Sequence, residues 1–307
     1  MKRPRSTLAN LLKLTTLTLL AVALAWLAWR WNRSAWHGAG GAVAIVFAYS
    51  GFLAAEFLIL PIVSRGDPSP RPTAWTLVKA WAGETAQALR VFCWRQPFRW
   101  QAVPDQLAPG GELMGRRGVV FIHGFVCNRG FWTPWLTLLT DQRRHAFAAV
   151  NLEPLFGSID SYVPIIEEAV QAVTRASGQP PLLVCHSMGG LAARAWLRAG
   201  ANAARVHHIV TIGAPHHGTW LARFSRLTNG SQMALGSDWL CALERDAAKQ
   251  PAPGFTCWYS NCDNVVSPPT TATLPGADNR LVPGAAHVSL AFRPEVMAAT
   301  LDLLGPG

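Results

Sequence analysis

From Gly118 onward, short apolar runs alternate with stretches whose apolar residues recur every three or four positions. Such alternation is typical of βαβ units arranged around a mostly parallel sheet. It predicts an α/β fold with a central sheet flanked by helices. The expected strands lie at 119–122, 147–151, 182–184, 209–212, 256–259 and 280–282, with helices from 159 to 173 and from 295 to 304.

The third expected strand leads directly into the motif Cys185-His186-Ser187-Met188-Gly189, and a helical run at 191–198 follows. A sharp strand-to-helix turn that exposes a serine oxygen needs small residues beside it, and Gly189 and Gly190 supply them. A Ser-x-Gly pair alone is common. The strand before it and the helix after it favour a nucleophile elbow over a structural turn serine, so we predict Ser187 as a nucleophile.

A serine nucleophile needs a base and an acid that orients the base. With an elbow of this kind, the chain order is nucleophile, acid, histidine. His287 lies between the last expected strand and the last helix, whereas the other histidines after Ser187 come before any acid on a later strand. Asp263 follows the strand at 256–259, and its competitor Asp278 opens the next strand. We therefore predict His287 as the base and Asp263 as the acid.

The oxyanion of such a reaction needs hydrogen-bond donors close to the serine. The segment His123-Gly124-Phe125 directly follows the first strand, where its backbone can curve over the elbow. The backbone N–H groups of Phe125 and Met188 are the expected donors, the latter because it begins a helix. His123 follows the wrong strand to be the base and is interpreted as holding the loop.

The N-terminal part of the chain is apolar. Residues 14–29 carry no charge, and a second apolar stretch at 38–63 is interrupted only by Glu56. A bilayer span needs about 20 apolar residues. The second stretch meets this length, and the first does if the flanking Lys13 and Arg30 extend their charges to the interfaces. This predicts two transmembrane helices, and the alternative is a cleavable signal peptide followed by a core helix.

We assign the membrane anchor to residues 1–65. Positive charge is denser at its two ends than in the short connector, which favours both ends in the cytoplasm. Glu56 is either an interfacial carboxylate or a functional acid within the membrane. Residues 66–112 comprise a proline-rich linker and an amphipathic helix, which either lies on the membrane surface or packs against the catalytic part.

The chain has a net charge of +10, which is compatible with nucleic-acid binding, but its Lys and Arg residues are scattered and form no RNA-binding signature. Much of the excess flanks the apolar N-terminus, where anionic lipid head groups are the simpler partner. The six cysteines show no spacing suited to zinc. We therefore expect a membrane partner, no nucleic acid and no metal, and we interpret Cys185 as a buried free thiol.

Six segments resemble, in this order, the bacterial triacylglycerol lipase and esterase family of α/β-hydrolases: VVFIHGF, NLEPLFGSID, LLVCHSMGGLAARAWL, TIGAPHHGT, DNVVSP and GAAHVSL. The resemblance runs from about 118 to 304. It implies an α/β-hydrolase fold and hydrolysis of a lipid or other ester by Ser187, Asp263 and His287, without a metal or organic cofactor. Cys185 departs from the family pattern because a glycine usually stands there, and we expect a tighter turn.

Together with the anchor, the resemblance implies a protein of the bacterial inner membrane whose catalytic domain, 113–307, lies on the cytoplasmic side. The stretch 219–253 is rich in apolar residues and is interpreted as a lid that shapes an acyl pocket, with ordinary helix packing as the alternative. The same triad would also serve acyl transfer to an alcohol or lipid. A membrane scaffold that keeps the fold without catalysis would instead predict a broken triad.

Overall fold

The computed structural model describes residues 6–107, 111, 113–142, 144–200, 203–247 and 253–305. Within these residues, a six-stranded parallel sheet has the order β2-β1-β3-β4-β5-β6. The predicted α/β class is therefore confirmed. The strands are β1 (Val119–Ile122), β2 (Phe147–Ala149), β3 (Leu182–His186), β4 (His208–Ile212), β5 (Gly254–Tyr259) and β6 (Asp278–Leu281).

The strand boundaries differ from the sequence prediction mainly at the ends. β3 continues through Cys185 to His186, because both residues pair with β4. β2 ends at Ala149, two residues earlier than expected, and β6 begins at Asp278 and ends before Val282. The lengthened β3 carries the parallel ladder up to the residue before Ser187.

Helices cover both faces of the sheet. They are α6 (Thr133–Gln142), α7 (Val163–Ser177), α8 (Met188–Arg198) and α12 (Pro294–Asp302). Val120 and Ile122 of β1 pack with α7 and α8, whereas Val119 and Phe121 pack with α6 and α12. A strand buried on both faces needs apolar residues at every position, which explains the unbroken apolar run of β1.

Shorter helical elements connect these layers. A 3₁₀ turn, Ile159–Tyr162, precedes α7 and replaces the first turn of the helix expected from 159. Pro164 then lies in the first turn of α7, where its missing N–H leaves no bond unmade. The remaining short elements are α9 (Thr228–Gln232), α10 (Asp238–Ala247), α11 (His287–Leu290) and 3₁₀ turns at Arg129–Trp132, Ala203–Arg205, Trp220–Phe224 and Pro269–Ala272.

The N-terminal part contains α1 (Thr7–Trp31), α2 (Ala35–Val46), α3 (Ala48–Val63) and α4 (Ala74–Ala88), followed by a π-helical segment, Leu89–Arg95, and α5 (Gln96–Phe98). Among the described helices, α1 is long and apolar enough to cross a membrane by itself. The second apolar stretch is not one straight helix, because α2 and α3 meet at 55°. It has the length of a span only when both helices are taken together.

The helices α3 and α4 pack against the part of the chain that holds the sheet. Phe57 and Leu60 of α3, Ala80 of α4, and Cys262 and Ala286 from the loops after β5 and β6 form one buried cluster. The amphipathic helix expected within 66–112 therefore packs against the remainder of the fold. Its contacts reach the two loops that carry Asp263 and His287.

We expect Trp135→Phe to destabilise the fold. Trp135 of α6 is fully buried, and its indole Nε1 donates to the carbonyl of Ala291, 2.9 Å away, just after α11. The shorter ring leaves that carbonyl unpaired and opens a cavity, at an expected cost of about 2 to 3 kcal/mol.

Denaturant unfolding of the protein in detergent measures this change. Trp94→Phe is the matched control, since Trp94 is 59% exposed. Equal unfolding free energies for the two variants would contradict the role assigned to the Trp135 contact.

Candidate active site

Ser187 lies between the last residue of β3 and the first residue of α8. Its backbone has φ 54° and ψ −129°, a conformation that residues with a side chain rarely adopt. Two hydrogen bonds hold it, one from Ser187 N to the Ile212 carbonyl at 2.9 Å and one from Gly190 N to the Ser187 carbonyl at 3.0 Å. The chain thus forms the strained strand-to-helix turn expected at this position.

Glycines are required on the helical side of this turn. A Cβ on Gly189 would lie 2.4 Å from the Ile122 carbonyl oxygen and 2.7 Å from that of His123. A Cβ on Gly190 would lie 2.6 Å from Cβ of Ala214. α8 therefore begins in close contact with the end of β1, and this contact leaves no room for a side chain.

Cys185 does not crowd the turn. It lies inside β3, where it pairs with neighbours on both sides and packs in the core shared with α7 and α8. Burial raises the pKa of its thiol well above the usual value, so the thiol stays protonated. The cysteine is free and buried, as expected, but the turn itself is made at Ser187. The tighter turn expected at Cys185 is therefore not needed.

Asp263 and His287 form a buried pair. His287 Nδ1 lies 2.9 Å from Asp263 Oδ2. The other carboxylate oxygen, Oδ1, accepts the backbone N–H groups of Val265 and Val266 at 2.9 and 2.7 Å. The aspartate is thereby fixed, and Nδ1 of His287 carries the proton that it donates to the aspartate. Nε2 is then left with the lone pair that a general base needs.

The pKa of His287 is raised above its ordinary value. Burial alone lowers it, but the charge of Asp263 and its hydrogen bond to the ring act in the opposite direction, and the charges of Glu84 and Glu56 add to this effect. Among the groups that stabilise the imidazolium form, Asp263 therefore contributes most. A base that accepts a proton during a reaction benefits from such surroundings.

Gly213 connects the serine to this pair. It follows Ile212, whose carbonyl holds Ser187, and a Cβ on Gly213 would lie 3.0 Å from Asp263 Oδ2 and 3.2 Å from His287 Nδ1. Among the described residues, Ser187 Oγ and His287 are not hydrogen-bonded to each other. In resting sites such a bond is often long and shortens with substrate. The fold brings all three predicted residues to the carboxyl edge of β3, β4 and β5.

The loop after β1 passes directly over Ser187. A Cβ on Gly124 would lie 2.6 Å from Cβ of Ser187 and 3.2 Å from its Oγ. Phe125 follows, and Val126 has a positive φ of 51°, a second strained residue that the sequence analysis missed. Met188 N is the first amide of α8 and has no acceptor within the helix. Met188 directly follows Ser187, and Phe125 directly follows Gly124. Both expected oxyanion donors therefore lie next to residues that are in close contact.

His123 holds this loop in place. Its Nε2 accepts the backbone N–H of Leu152 at 3.0 Å, and its Nδ1 lies 2.9 Å from the Gly124 carbonyl. Burial lowers its pKa to about 4, which keeps the ring neutral. The ring is fully occupied by these two bonds and is unsuited to act as a base.

Asp278, the competitor for the acid, lies elsewhere. It is the first residue of β6, is exposed, and forms an ion pair with Arg280 at 2.6 Å. Asp263 is therefore the carboxylate that contacts His287.

Three further side chains around His287 were not found from the sequence. His186 lies beside it, with ring centroids 4.6 Å apart, and Asn264 and Glu84 bind backbone N–H groups of its loop. One available signal was the position of Glu84, which is the only acid between Asp67 and Asp105. A lone carboxylate on the apolar side of an amphipathic helix indicates a specific polar contact.

The stretch 219–253 divides into buried and exposed parts. Met233, Leu240 and Leu243 pack in the core beside α8, whereas Phe224 and Leu235 are exposed. Trp220 N donates to the Ser267 carbonyl at 2.9 Å, which ties the stretch to the loop of Asp263. Residues 248–252 of this stretch lie outside the described residues. Its role as a lid stays a prediction.

The comparisons with known proteins agree with the α/β fold. Residues 119–237 match the model of the Alpha/beta hydrolase family. The mature form of lipase BlEst2 from Bacillus licheniformis is 16% identical, with a TM-score of 0.56 over 66% of this chain and 96% of that one. Lipase B from Aspergillus fumigatus is also 16% identical, with a TM-score of 0.53 over 68% of this chain and 57% of the other. No curated protein sequence matches.

These similarities establish the class of fold. The parallel sheet and the family match identify an α/β-hydrolase fold. Within this fold, Ser187 occupies a turn between a strand and a helix.

We expect Gly124→Ala to abolish most activity of the serine while the protein still folds. The new methyl group would meet Ser187 at the distances given above and displace either the serine or the loop over it. A displacement of about 1 Å at a reacting atom lowers turnover roughly 100-fold.

The matched control is Gly83→Ala, because a Cβ at Gly83 has no atom within 4 Å. Rates of reaction with a fluorophosphonate and with a short-chain ester are to be compared for the two variants. A Gly124 variant as reactive as the Gly83 variant would contradict the close approach of the loop to Ser187.

Proposed function

We propose that this chain is a membrane-anchored serine hydrolase that cleaves carboxylic esters of lipids or acylglycerols. The observation that carries the proposal is the buried Asp263–His287 pair. It packs against Gly213, the residue that follows the Ile212 carbonyl to which the strained Ser187 is bound. Structural turns have no need for a histidine with raised pKa and a fixed aspartate beside a strained serine. The lipase names of the structural neighbours agree with an ester substrate.

The mechanism follows from these positions. His287 Nε2 takes the proton of Ser187 Oγ, and Oγ attacks the ester carbonyl carbon. The backbone N–H groups of Phe125 and Met188 stabilise the oxyanion, a contribution of about 3 kcal/mol for one donor in comparable sites. His287 then protonates the leaving alcohol. Water, activated by the same histidine, attacks the acyl-enzyme and releases the carboxylic acid.

Asp263 serves this cycle without changing its own protonation. It holds the Nδ1–H tautomer of His287 and stabilises the imidazolium that forms twice in each turnover. Its two additional bonds from Val265 and Val266 keep the carboxylate in place. No step requires a metal or an organic cofactor.

The membrane part of the proposal rests on α1. Of the residues in the most apolar part of this helix, 6% are buried, and side chains such as Leu14 and Leu24 are more than half exposed. The surroundings suited to such a surface are lipid. The start of α1 also contacts the catalytic part, where Thr7 N donates to Glu153 at 2.8 Å and Asn128 donates to Ser6 at 3.2 Å. A cleaved signal peptide would not keep such contacts.

The path of the chain favours an anchor with both ends on one side. α1 begins at the catalytic part, and the end of α3 returns to it through Phe57 and Leu60. α1 and the bent pair α2–α3 therefore make up a membrane hairpin, with the hydrolase domain at its open end. We place this domain on the cytoplasmic side of the bacterial inner membrane, in line with the charge bias of the sequence.

Acyl transfer is the second candidate reaction, because an alcohol can replace water in the step that resolves the acyl-enzyme. The site favours neither acceptor over the other. A non-catalytic scaffold is disfavoured. Positive φ at Ser187 costs free energy, and a protein without catalysis would gain nothing from this strain beside a buried Asp–His pair.

Ester hydrolysis by the full chain in detergent tests this proposal. We expect Ser187→Ala to remove turnover of a p-nitrophenyl ester, and Asp263→Asn to lower kcat about 10⁴-fold through loss of the correct tautomer. Because the Asp263 charge raises the pKa of His287, its removal should move the acid limb of the kcat/KM profile to lower pH.

Asp278→Asn is the matched control for Asp263→Asn and should keep the wild-type profile. Product analysis with an added alcohol distinguishes the two reactions, since an ester product in place of free acid indicates acyl transfer. Undiminished turnover by the Ser187 variant would overturn the proposal.

A further inference from the structure

Side chains bind the backbone N–H groups of three consecutive residues at the start of α11. Asn264 Oδ1 accepts from His287 N at 3.2 Å. Glu84 Oε1 accepts from Val288 N at 2.7 Å, and its Oε2 accepts from Ser289 N at 3.0 Å and from Ser289 Oγ at 2.7 Å. The residue that carries the predicted catalytic base is thus fixed by partners outside its own loop.

Both side chains that bind this segment, Glu84 and Asn264, connect it to the N-terminal helices. Glu84 belongs to α4 and is 2% exposed. Glu56 belongs to α3, and its Oε2 accepts from Asn264 Nδ2 at 2.6 Å. Asn264 follows Asp263 directly, so one amide side chain connects α3, the loop of the acid and the loop of the base.

A buried carboxylate needs a reason to be retained, because its desolvation is costly. The neighbouring positions on the same face of α4 are Ala80 and Ala88, which show that packing alone is satisfied by small apolar residues. Each oxygen of Glu84 faces donors, and all of these donors belong to Val288 and Ser289. The carboxylate is therefore used to fix the chain that follows His287.

We propose that Glu84 is a positioning residue for the catalytic histidine, and that Glu56 acts in the same way through Asn264. Helices α3 and α4, which precede the hydrolase fold, then complete its active site. This inference rests on the proposed function, since it assigns to both residues the orientation of His287 as a base.

The remaining contacts of His287 fit this role. His186 Nε2 lies 3.2 Å from the His287 carbonyl oxygen, so both backbone polar groups of His287 are bound. Two titratable groups contact its ring, Asp263 from the loop after β5 and His186 from the end of β3. Glu84 from α4 and Glu56 from α3 act on it electrostatically. Burial keeps the pKa of His186 well below its usual value, so its ring is neutral.

The test compares Glu84→Gln with wild type in the full chain. A glutamine places an NH₂ group against backbone N–H donors, which loses hydrogen bonds and removes the charge. We expect kcat to fall 10- to 100-fold with KM within about 3-fold, the range typical of losses from residues that orient a reactive group. Burial raises the pKa of Glu84 itself, but the hydrogen bonds from Ser289 and Val288 favour its charged form. That charge raises the pKa of His287, so the acid limb should also move to lower pH.

Titration of active serine with a fluorophosphonate normalises these rates to the enzyme that is folded. Loss of folded protein alone lowers the titrated amount, but it leaves kcat per active site and the pH limb unchanged. Glu295→Gln is the matched control, because Glu295 is exposed on α12 and pairs with Arg293. This variant should show the wild-type kcat per active site, KM and acid limb.

Ser289→Ala is a milder variant for the case in which Glu84→Gln does not fold. It removes one of the donors to Glu84 and should lower kcat per active site about 2- to 5-fold. If the folded variants keep the wild-type kcat and the wild-type acid limb of the pH profile, the positioning role is overturned while the proposed function stands. Turnover that persists in Ser187→Ala would instead overturn the proposed function, so the two failures are distinguishable.

Discussion

The positive φ of Ser187 is the constraint on which the rest of the site depends. It exists because β3 ends one residue earlier, α8 begins one residue later, and the Ile212 carbonyl of the neighbouring strand holds the amide in between. Gly189 and Gly124 allow β1 and its loop to approach the serine closely. Gly213 does the same for the Asp263–His287 pair. The positions of the three proposed catalytic residues are thus set by where the parallel strands end.

The N-terminal helices are part of this arrangement, in addition to the membrane anchoring proposed for them. α3 and α4 contribute apolar contacts to the loops of Asp263 and His287, and they carry the two buried carboxylates nearest to those loops. In the proposed enzyme, the geometry of the histidine loop therefore depends on the placement of α3 and α4.

Much of the fold can be predicted from local patterns, and so can the three residues proposed for catalysis. The β1 segment is uniformly apolar because both of its faces are buried, and the order of Ser187, Asp263 and His287 follows the order of the strands. Glu84 and His186 could not be placed in this way, because the Glu84 contacts join residues about 200 positions apart and a periodic pattern does not encode such pairs. The bend between α2 and α3 was missed because both helices are predominantly apolar, so the change of direction leaves no break in the apolar pattern.

The central claim is that Ser187 is an activated nucleophile, and mapping of a covalent adduct tests it most directly. The full chain in detergent is treated with a fluorophosphonate at neutral pH, digested, and the labelled peptide is identified by mass spectrometry. The account predicts one phosphonyl adduct, on Ser187, that is lost in His287→Ala and after prior denaturation. An adduct located on another residue, or equal labelling of native and denatured protein, would contradict it.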